Sequence, residues 1–251
     1  MARVIAPFKI VGTIGDLNFY MDKEKENNYV RAKGKTGVSS KEFMQNPVFT
    51  KARNHGKEFG RCTIKAKNFR FTALYLFKRA KDGSFAGRTN RLMLDVMNED
   101  TENQPGERTV EIGMKSSDAK DYFVGFEGNK ARPLKKVLKA KWHWNEETSE
   151  CTIPKFHPSK HLDWPEEAEF AHIAIARTNW NYVENKFTTI YSEEIIFEKE
   201  EKPSNLKIKT AIPEGNHLQV TFLFIGFSIK HRKTTKELKR INNTISIIWC
   251  K

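Results

Sequence analysis

The chain has 251 residues, 38% of them hydrophobic and 30% charged, and its 44 Lys and Arg against 31 Asp and Glu give a net charge of +13. That length allows one large or two modest domains, and 18 Phe with 5 Trp supply burial that a disordered chain lacks. No apolar run nears the roughly 18 to 20 residues that span a bilayer, and the opening shows no secretory-signal pattern. Three widely spaced cysteines, Cys62, Cys151 and Cys250, make no disulfide framework, so a cytoplasmic chain with reduced thiols is expected.

Residues 8–20 read as extended, with Ile10, Ile14, Leu17, Phe19 and Tyr20 set among Gly12 and Gly15, where a turn or bulge is expected. Residues 22–28 turn the chain, and Tyr29-Val30-Arg31 opens a second strand to complete an N-terminal hairpin. Ser39 with Glu42 has capping-box spacing, and Asn46-Pro47 places Pro where a helix start tolerates it. From there Val48, Ala52, His55, Phe59, Cys62, Ala66, Phe69, Ala73 and Leu76 alternate by four and three, a helical seam of small and mixed residues. Gly56 and Gly60 weaken this helix or mark a break or close backbone contact. Phe69, Phe71, Ala73, Tyr75 and Phe77 also alternate by two, so the helix is preferred to about Phe59 and a strand stays open beyond it. A loop is expected at 81–87, one more helix around Leu92, Met93, Val96 and Met97, and a polar break at 100–106.

Beyond residue 107 short alternating segments separated by turn residues predict strands at 109–112, 141–144, 151–153, 170–177, 187–191, 206–211, 218–229 and 245–249. The expected fold class is α+β: an N-terminal β-hairpin and basic helices over residues 1–106, then an Ig-like antiparallel β-sandwich over 107–251. The change falls somewhere in 100–138, and the Pro-containing segment 200–205 reads as a loop within the sandwich.

The charge is unevenly placed. Residues 1–80 hold 17 Lys and Arg against 6 Asp and Glu, an excess of 11, whereas residues 81–251 hold 27 against 25. Arg53, Lys57, Arg61 and Lys65 recur every four residues and share a helix face, which Lys51, Lys67 and Arg70 extend. Such a face is a solvated surface, a contact for an acidic site on a neighbouring subunit, or a track for nucleic-acid phosphates.

Other motifs carry less. Gly34-Lys35-Thr36 resembles the end of a phosphate-binding loop, but Tyr29 stands where that loop needs Gly, so it reads as a basic turn. Cys151, His157 and His161, with His143 nearby, are too sparse for a zinc module. Glu166, Glu167 and Glu169 form an acidic cluster read as a solvated face. No nucleophile signature is present, and neither catalytic residue nor cofactor is assigned.

Ile14-Gly15-Asp16-Leu17-Asn18-Phe19-Tyr20, then Tyr29-Val30-Arg31 and Lys35-Thr36-Gly37-Val38-Ser39, resemble the opening of a group of uncharacterised Bacteroidota proteins. Those proteins pair a G-x-x-G-x-x-x-F-Y strand with a Y-V-R-x-K-G-G-V-S strand; here Lys35-Thr36 stands between the two glycines. The following helix is similar to the group's D-P-x-F-x-R-T-R-E-N-x-x-E-F-G segment across residues 46–60, with Asn46, Lys51-Ala52 and Asn54-His55 as departures. The likeness covers residues 10–62 and, more faintly, Ile212-Pro213-Glu214-Gly215 near the end. It implies no activity; a comparable opening occurs in small proteins of phage-like gene sets. The expected role is a non-enzymatic assembly subunit that contacts other copies of itself, in a phage-like or filamentous particle. The alternative is a protein that binds DNA or RNA through the basic helix.

Overall fold

The computed structural model describes residues 2–22, 26–34, 37–232 and 234–251. Lys35 and Thr36 of the basic turn lie outside the described residues. The chain divides into two compact units, residues 1–53 and 54–251, so the expected boundary at 106/107 falls inside the second unit.

In the first unit the expected hairpin is part of a four-stranded antiparallel sheet. Its strands are β1 (Ala2–Val4), β2 (Gly12–Ile14), β3 (Leu17–Asp22) and β4 (Asn27–Ala32), ordered β1-β4-β3-β2. Ile14 pairs with Leu17 across a two-residue turn that Gly15 enters at φ +56°, a conformation open to glycine at little cost. Asn28 ties the segment before β2 to the sheet, its amide exchanging two hydrogen bonds with the Ile10 backbone at 3.1 and 2.8 Å. Helix α1 (Ser40–Gln45) starts where the capping signal placed it, Ser39 Oγ accepting from the Glu42 amide at 3.1 Å. Asn46 then caps the short turn that leads into α2 (Thr50–Thr72).

Helix α2 runs unbroken past Gly56 and Gly60, and space is open beside both glycines. After a one-residue irregularity at Ala73, α3 (Leu74–Arg79) continues the helical course. Phe69, Ala73, Leu76 and Phe77 are buried while Phe71 and Tyr75 are exposed. Burial at spacings of three and four is helical, so the strand alternative for residues 69–77 falls. Next come α4 (Phe85–Asn98) and the one-turn α5 (Val110–Gly113). The strand expected at 109–112 is this turn instead: Thr109 caps it through Oγ1, and its own amide donates to Asp100 at 2.8 Å. Gly113 lies against the α4 backbone at Val96, where any side chain would collide with a carbonyl oxygen.

The remaining elements are α6 (Leu134–Val137), β5 (His143–Asn145), β6 (Glu150–Phe156), α7 (Pro158–His161), β7 (Phe170–Asn181), β8 (Lys186–Tyr191), β9 (Ile195–Glu198), β10 (Ser204–Lys209), β11 (Leu218–His231), β12 (Thr234–Glu237) and β13 (Thr244–Cys250). The long strands β7 and β11 pair along eleven positions and form the spine of a six-stranded antiparallel sheet. β8 and β9 share the free side of β7, and β12 and β13 share that of β11. A smaller antiparallel sheet, β10-β6-β5, packs on one face. The fold is thus α+β with two antiparallel sheets face to face, as expected, but a helical layer covers the other face of the large sheet.

Strand alternation sorts side chains between two cores. Ala174, Ala176, Trp180, Val220, Phe222 and Phe224 face α2–α4, with Phe69 at the centre. Ile173, Ile175, Leu223, Ile225 and Phe227 face the small sheet.

A half-buried carboxylate outside the ladders makes stability depend on pH. Glu127 bridges to Ser246 and accepts the Leu134 amide at 3.0 Å, while its Oε2 is buried without a hydrogen-bond partner. Burial raises its pKa from 4.5 to about 7, against the opposing Leu134 and Ser246 hydrogen bonds and the Arg88 charge. Since the folded value exceeds the unfolded one, this contribution is complete below pH 4.5 and is lost as pH rises through about 7. Relative to Glu127→Gln, the wild type should therefore lose about 3 kcal/mol between pH 4 and 8 in urea denaturation. Parallel pH profiles would refute this.

Candidate interaction surface

The seven cations of the basic helix have three different environments. Lys51, Lys57 and Lys67 are exposed and make no ion pair among the described residues. Arg53, Arg61 and Arg70 are half-buried and hydrogen-bonded within the chain. Arg53 donates to the Phe43 and Asn46 carbonyls and to Thr50 Oγ1, and Arg70 to Thr89 Oγ1 and Asn90 Oδ1. Arg61 Nη1 donates to the carbonyls of Gly106 and Arg108 at 3.0 and 2.9 Å. Those residues close the polar segment 100–108, which the buried Glu58 also holds by accepting from the Gly106 amide and Arg108 Nε at 2.7 and 2.8 Å. The Arg108 hydrogen bond, reinforced by the Gly106 amide, keeps the Glu58 pKa below its usual range despite burial.

Lys65 is buried. Its ammonium meets Glu111 at 2.5 Å, the Tyr182 carbonyl at 2.5 Å and Asn185 Oδ1 at 3.0 Å. The fourfold spacing of Arg53, Lys57, Arg61 and Lys65 thus describes a helix face used largely for internal support.

The helical seam divides as well. Cys62, Ala66 and Phe69 lie in the core, whereas Val48, Ala52, His55 and Phe59 are exposed. Apolar exposure continues through the first unit in Ile5, Phe8, Val11, Ile14, Leu17, Phe43 and Met44, and among its described residues only Asn28 is buried.

On the second unit, pairing of β7 with β9 brings two acidic runs together. Phe170 is opposite Glu198, and the Lys199 amide donates to the Glu169 carbonyl at 3.2 Å. Glu166, Glu167 and Glu169 therefore adjoin Glu198, Glu200 and Glu201, all exposed. The exposed Ile196, on a strand paired along one side only, lies beside them. Sequence separation hides this patch, because only the β7–β9 pairing joins its two acidic runs.

Two further polar groupings lie in the large sheet. His172 joins Glu194 Oε1 through Nδ1 at 2.7 Å and Ser228 Oγ through Nε2 at 2.6 Å. That order, hydroxyl to imidazole to carboxylate, is the order of an activated nucleophile. Ser228 is 1% exposed within β11, however, which leaves a substrate no approach to its oxygen. Glu194 also takes both terminal nitrogens of Arg79, and the His172 hydrogen bond with that guanidinium lowers its pKa to about 2 against burial. The row belongs to a structural network.

The second grouping is a cleft of about 850 Å³ at one end of the sandwich, floored by Arg177 and bordered by Tyr182, Leu218 and Trp249. Arg177 and His172 interrupt the apolar run of β7, which was the available sequence signal for both. Ser228 does not line this cleft.

Of the sparse metal candidates, Cys151 is buried in β6, while His157 and His161 meet at the ends of α7, His161 Nδ1 accepting the His157 amide at 3.0 Å. Among the described residues no group of three or more His, Cys, Asp or Glu is placed to hold a metal ion, and no helix is long and apolar enough to cross a membrane. Comparison with protein-family models, curated proteins and solved structures found no match.

Proposed function

We propose that this chain is a non-enzymatic assembly subunit whose N-terminal unit docks on another copy of the chain. The carrying observation is the coreless first unit: its four-stranded sheet exposes Ile14 and Leu17, the segment between β1 and β2 exposes Ile5, Phe8 and Val11, and only Asn28 is buried among its described residues. Ordering a chain costs roughly 1 to 2 kcal/mol per residue in backbone entropy, and apolar burial is the main force that offsets it. A sheet without such burial gains it from a neighbour.

Charge selects the neighbour. Exposed Lys51 closely follows the apolar Val48 in the first unit, exposed Lys57 lies further along the same helix, and the six-glutamate patch beside Ile196 offers a surface of opposite charge. Joining unlike surfaces of identical copies is a heterologous contact, which propagates into a ring or a filament. Nucleic-acid binding, the alternative, draws less support because four of the seven cations are occupied within the chain.

Sedimentation velocity on the full chain tests the reading. Mass should grow with concentration, and Lys51→Glu with Lys57→Glu should leave a folded monomer. Glu166→Lys with Glu167→Lys should do the same, and mixing the two variants should restore association. Arg61 is unsuitable for reversal, since it holds the 100–108 segment. A wild type that remains monomeric, or one that binds DNA or RNA with steep salt dependence at unchanged mass, would overturn the proposal.

A further inference from the structure

We propose that the cleft at the Arg177 end of the sandwich binds a small monocarboxylate with an apolar or aromatic body, its carboxylate held by Arg177 and Asn181.

Arg177 is 5% exposed yet has no carboxylate partner among the described residues. Its Nε donates to Gln219 Oε1 at 2.9 Å and its Nη1 to the Glu146 carbonyl at 3.0 Å, both neutral acceptors. Desolvation lowers its pKa, with Glu146 a partial offset. The Glu146 carboxylate, however, is engaged by Lys251 at 3.3 Å. The other fully buried cation, Lys65, has its carboxylate in Glu111, and the half-buried Arg79 has Glu194 and Glu237. A buried cation without one is an unmet demand for an anion.

The guanidinium is also fixed in orientation. Its carbon lies 4.9 Å from the Trp249 ring centroid and 5.9 Å from that of Trp144, and such stacking with two hydrogen bonds holds the planar fork. Nη2 is the nitrogen left without an acceptor among the described residues. Asn181 lines the same cleft, and its Oδ1 already accepts the Val183 and Glu184 amides at 3.2 and 3.0 Å. Its Nδ2 is therefore a second donor without an acceptor among the described residues. Arg177 Nη2 supplies the charged donor for one carboxylate, and Asn181 Nδ2, further along the same face of β7, is a second donor lining the same cleft.

The rest of the lining sets the ligand class. Trp249, Tyr182, Leu218 and Met114 supply apolar surface. Glu146, Glu147 and Glu184 disfavour a dianion such as phosphate, with Lys120 and Lys251 offsetting part of their charge. A cleft of about 850 Å³ falls within the size range of small-molecule sites.

Phenylpropionate and its neutral isostere phenylpropionamide are suitable probes for the full-length protein, followed by calorimetry and by tryptophan fluorescence, which Trp249 reports. Phenylpropionate should bind with a Kd of about 1 mM or below, and the amide should bind at least about tenfold more weakly. Inorganic phosphate should not compete. Arg177→Met and Asn181→Ala should each weaken phenylpropionate at least about tenfold and the amide, which keeps only a neutral acceptor, by clearly less. Should Arg177→Met fail to fold, the acid-to-amide ratio on the wild type and the Asn181→Ala result still decide. Equal affinity for acid and amide, competition by phosphate, or no binding of phenylpropionate at about 10 mM would overturn the assignment. These readouts are independent of oligomer mass, so the site stands or falls apart from the assembly proposal.

Discussion

Replacing Arg79 by Met is expected to destabilise the protein by about 2 to 4 kcal/mol in urea denaturation followed by tryptophan fluorescence. Arg79 ends α3 and enters the large sheet, where Nη1 and Nη2 hold Glu194 at 2.5 and 3.0 Å and Nε holds Glu237 at 2.9 Å. Its guanidinium carbon also stacks 4.3 Å from the Phe224 ring centroid. Burial alone would lower its pKa, yet the two carboxylates raise it above the usual range, so the cation is held firmly. Met retains most of the apolar stem but leaves two carboxylates without their cation. Glu194 keeps only His172, and Glu237 keeps Asn243 Nδ2. Both carboxylates retain some solvent contact, which is why the expected loss falls short of the largest values for fully buried pairs. Adding Glu194→Gln to Arg79→Met should recover about 1 kcal/mol or more, because it removes the stranded charge. A loss below about 1 kcal/mol for the single variant would show the network to be solvated.

Local signals survived folding best. The Ser39 and Asn46 caps and the strands β7, β11 and β13 lie where short-range patterns placed them, and the loop expected at 200–205 ends at Pro203, where β10 begins. Three strands carry no readable signal because they are edge elements with little alternation: β1 is three residues, β12 is Thr-Thr-Lys-Glu, and β9 is four residues beside an acidic run. The 109–112 segment misled because its apolar residues are few, and a Thr cap with one Asp acceptor decides the conformation.

The basic helix failed differently. A spacing of four says that cations share a face, not what that face meets. Lys65 meets Glu111 and Asn185, 46 and 120 residues away, and no local pattern carries that information. Arg61 likewise meets carbonyls 45 and 47 residues on. The Arg177 cleft was half legible, since a charge amid the apolar run of β7 marks a buried polar position. Its missing carboxylate partner is visible only once the strands are assembled.

The second large effect is expected at Phe69, where the helix and strand readings of one segment part company. Phe69 is fully buried, its ring centroid 5.5 Å from Phe123, 5.6 Å from Trp180 and 6.2 Å from Phe222. Truncation leaves a cavity bounded by rigid aromatic rings from α3, the sheet and the segment after α5, which cannot collapse together. Phe69→Ala should therefore cost about 3 to 5 kcal/mol, and Phe69→Leu about 1 to 1.5 kcal/mol. Phe71 is the control. On a strand, residues two apart share a face, so both substitutions would be costly. On a helix, positions two apart point about 200° from each other, and Phe71 is indeed 42% exposed. Phe71→Ala should stay within about 0.5 kcal/mol of the wild type. Comparable losses at both positions would mean that the segment packs as a strand. A large loss at Phe69 alone places the helical layer on the sheet through this ring.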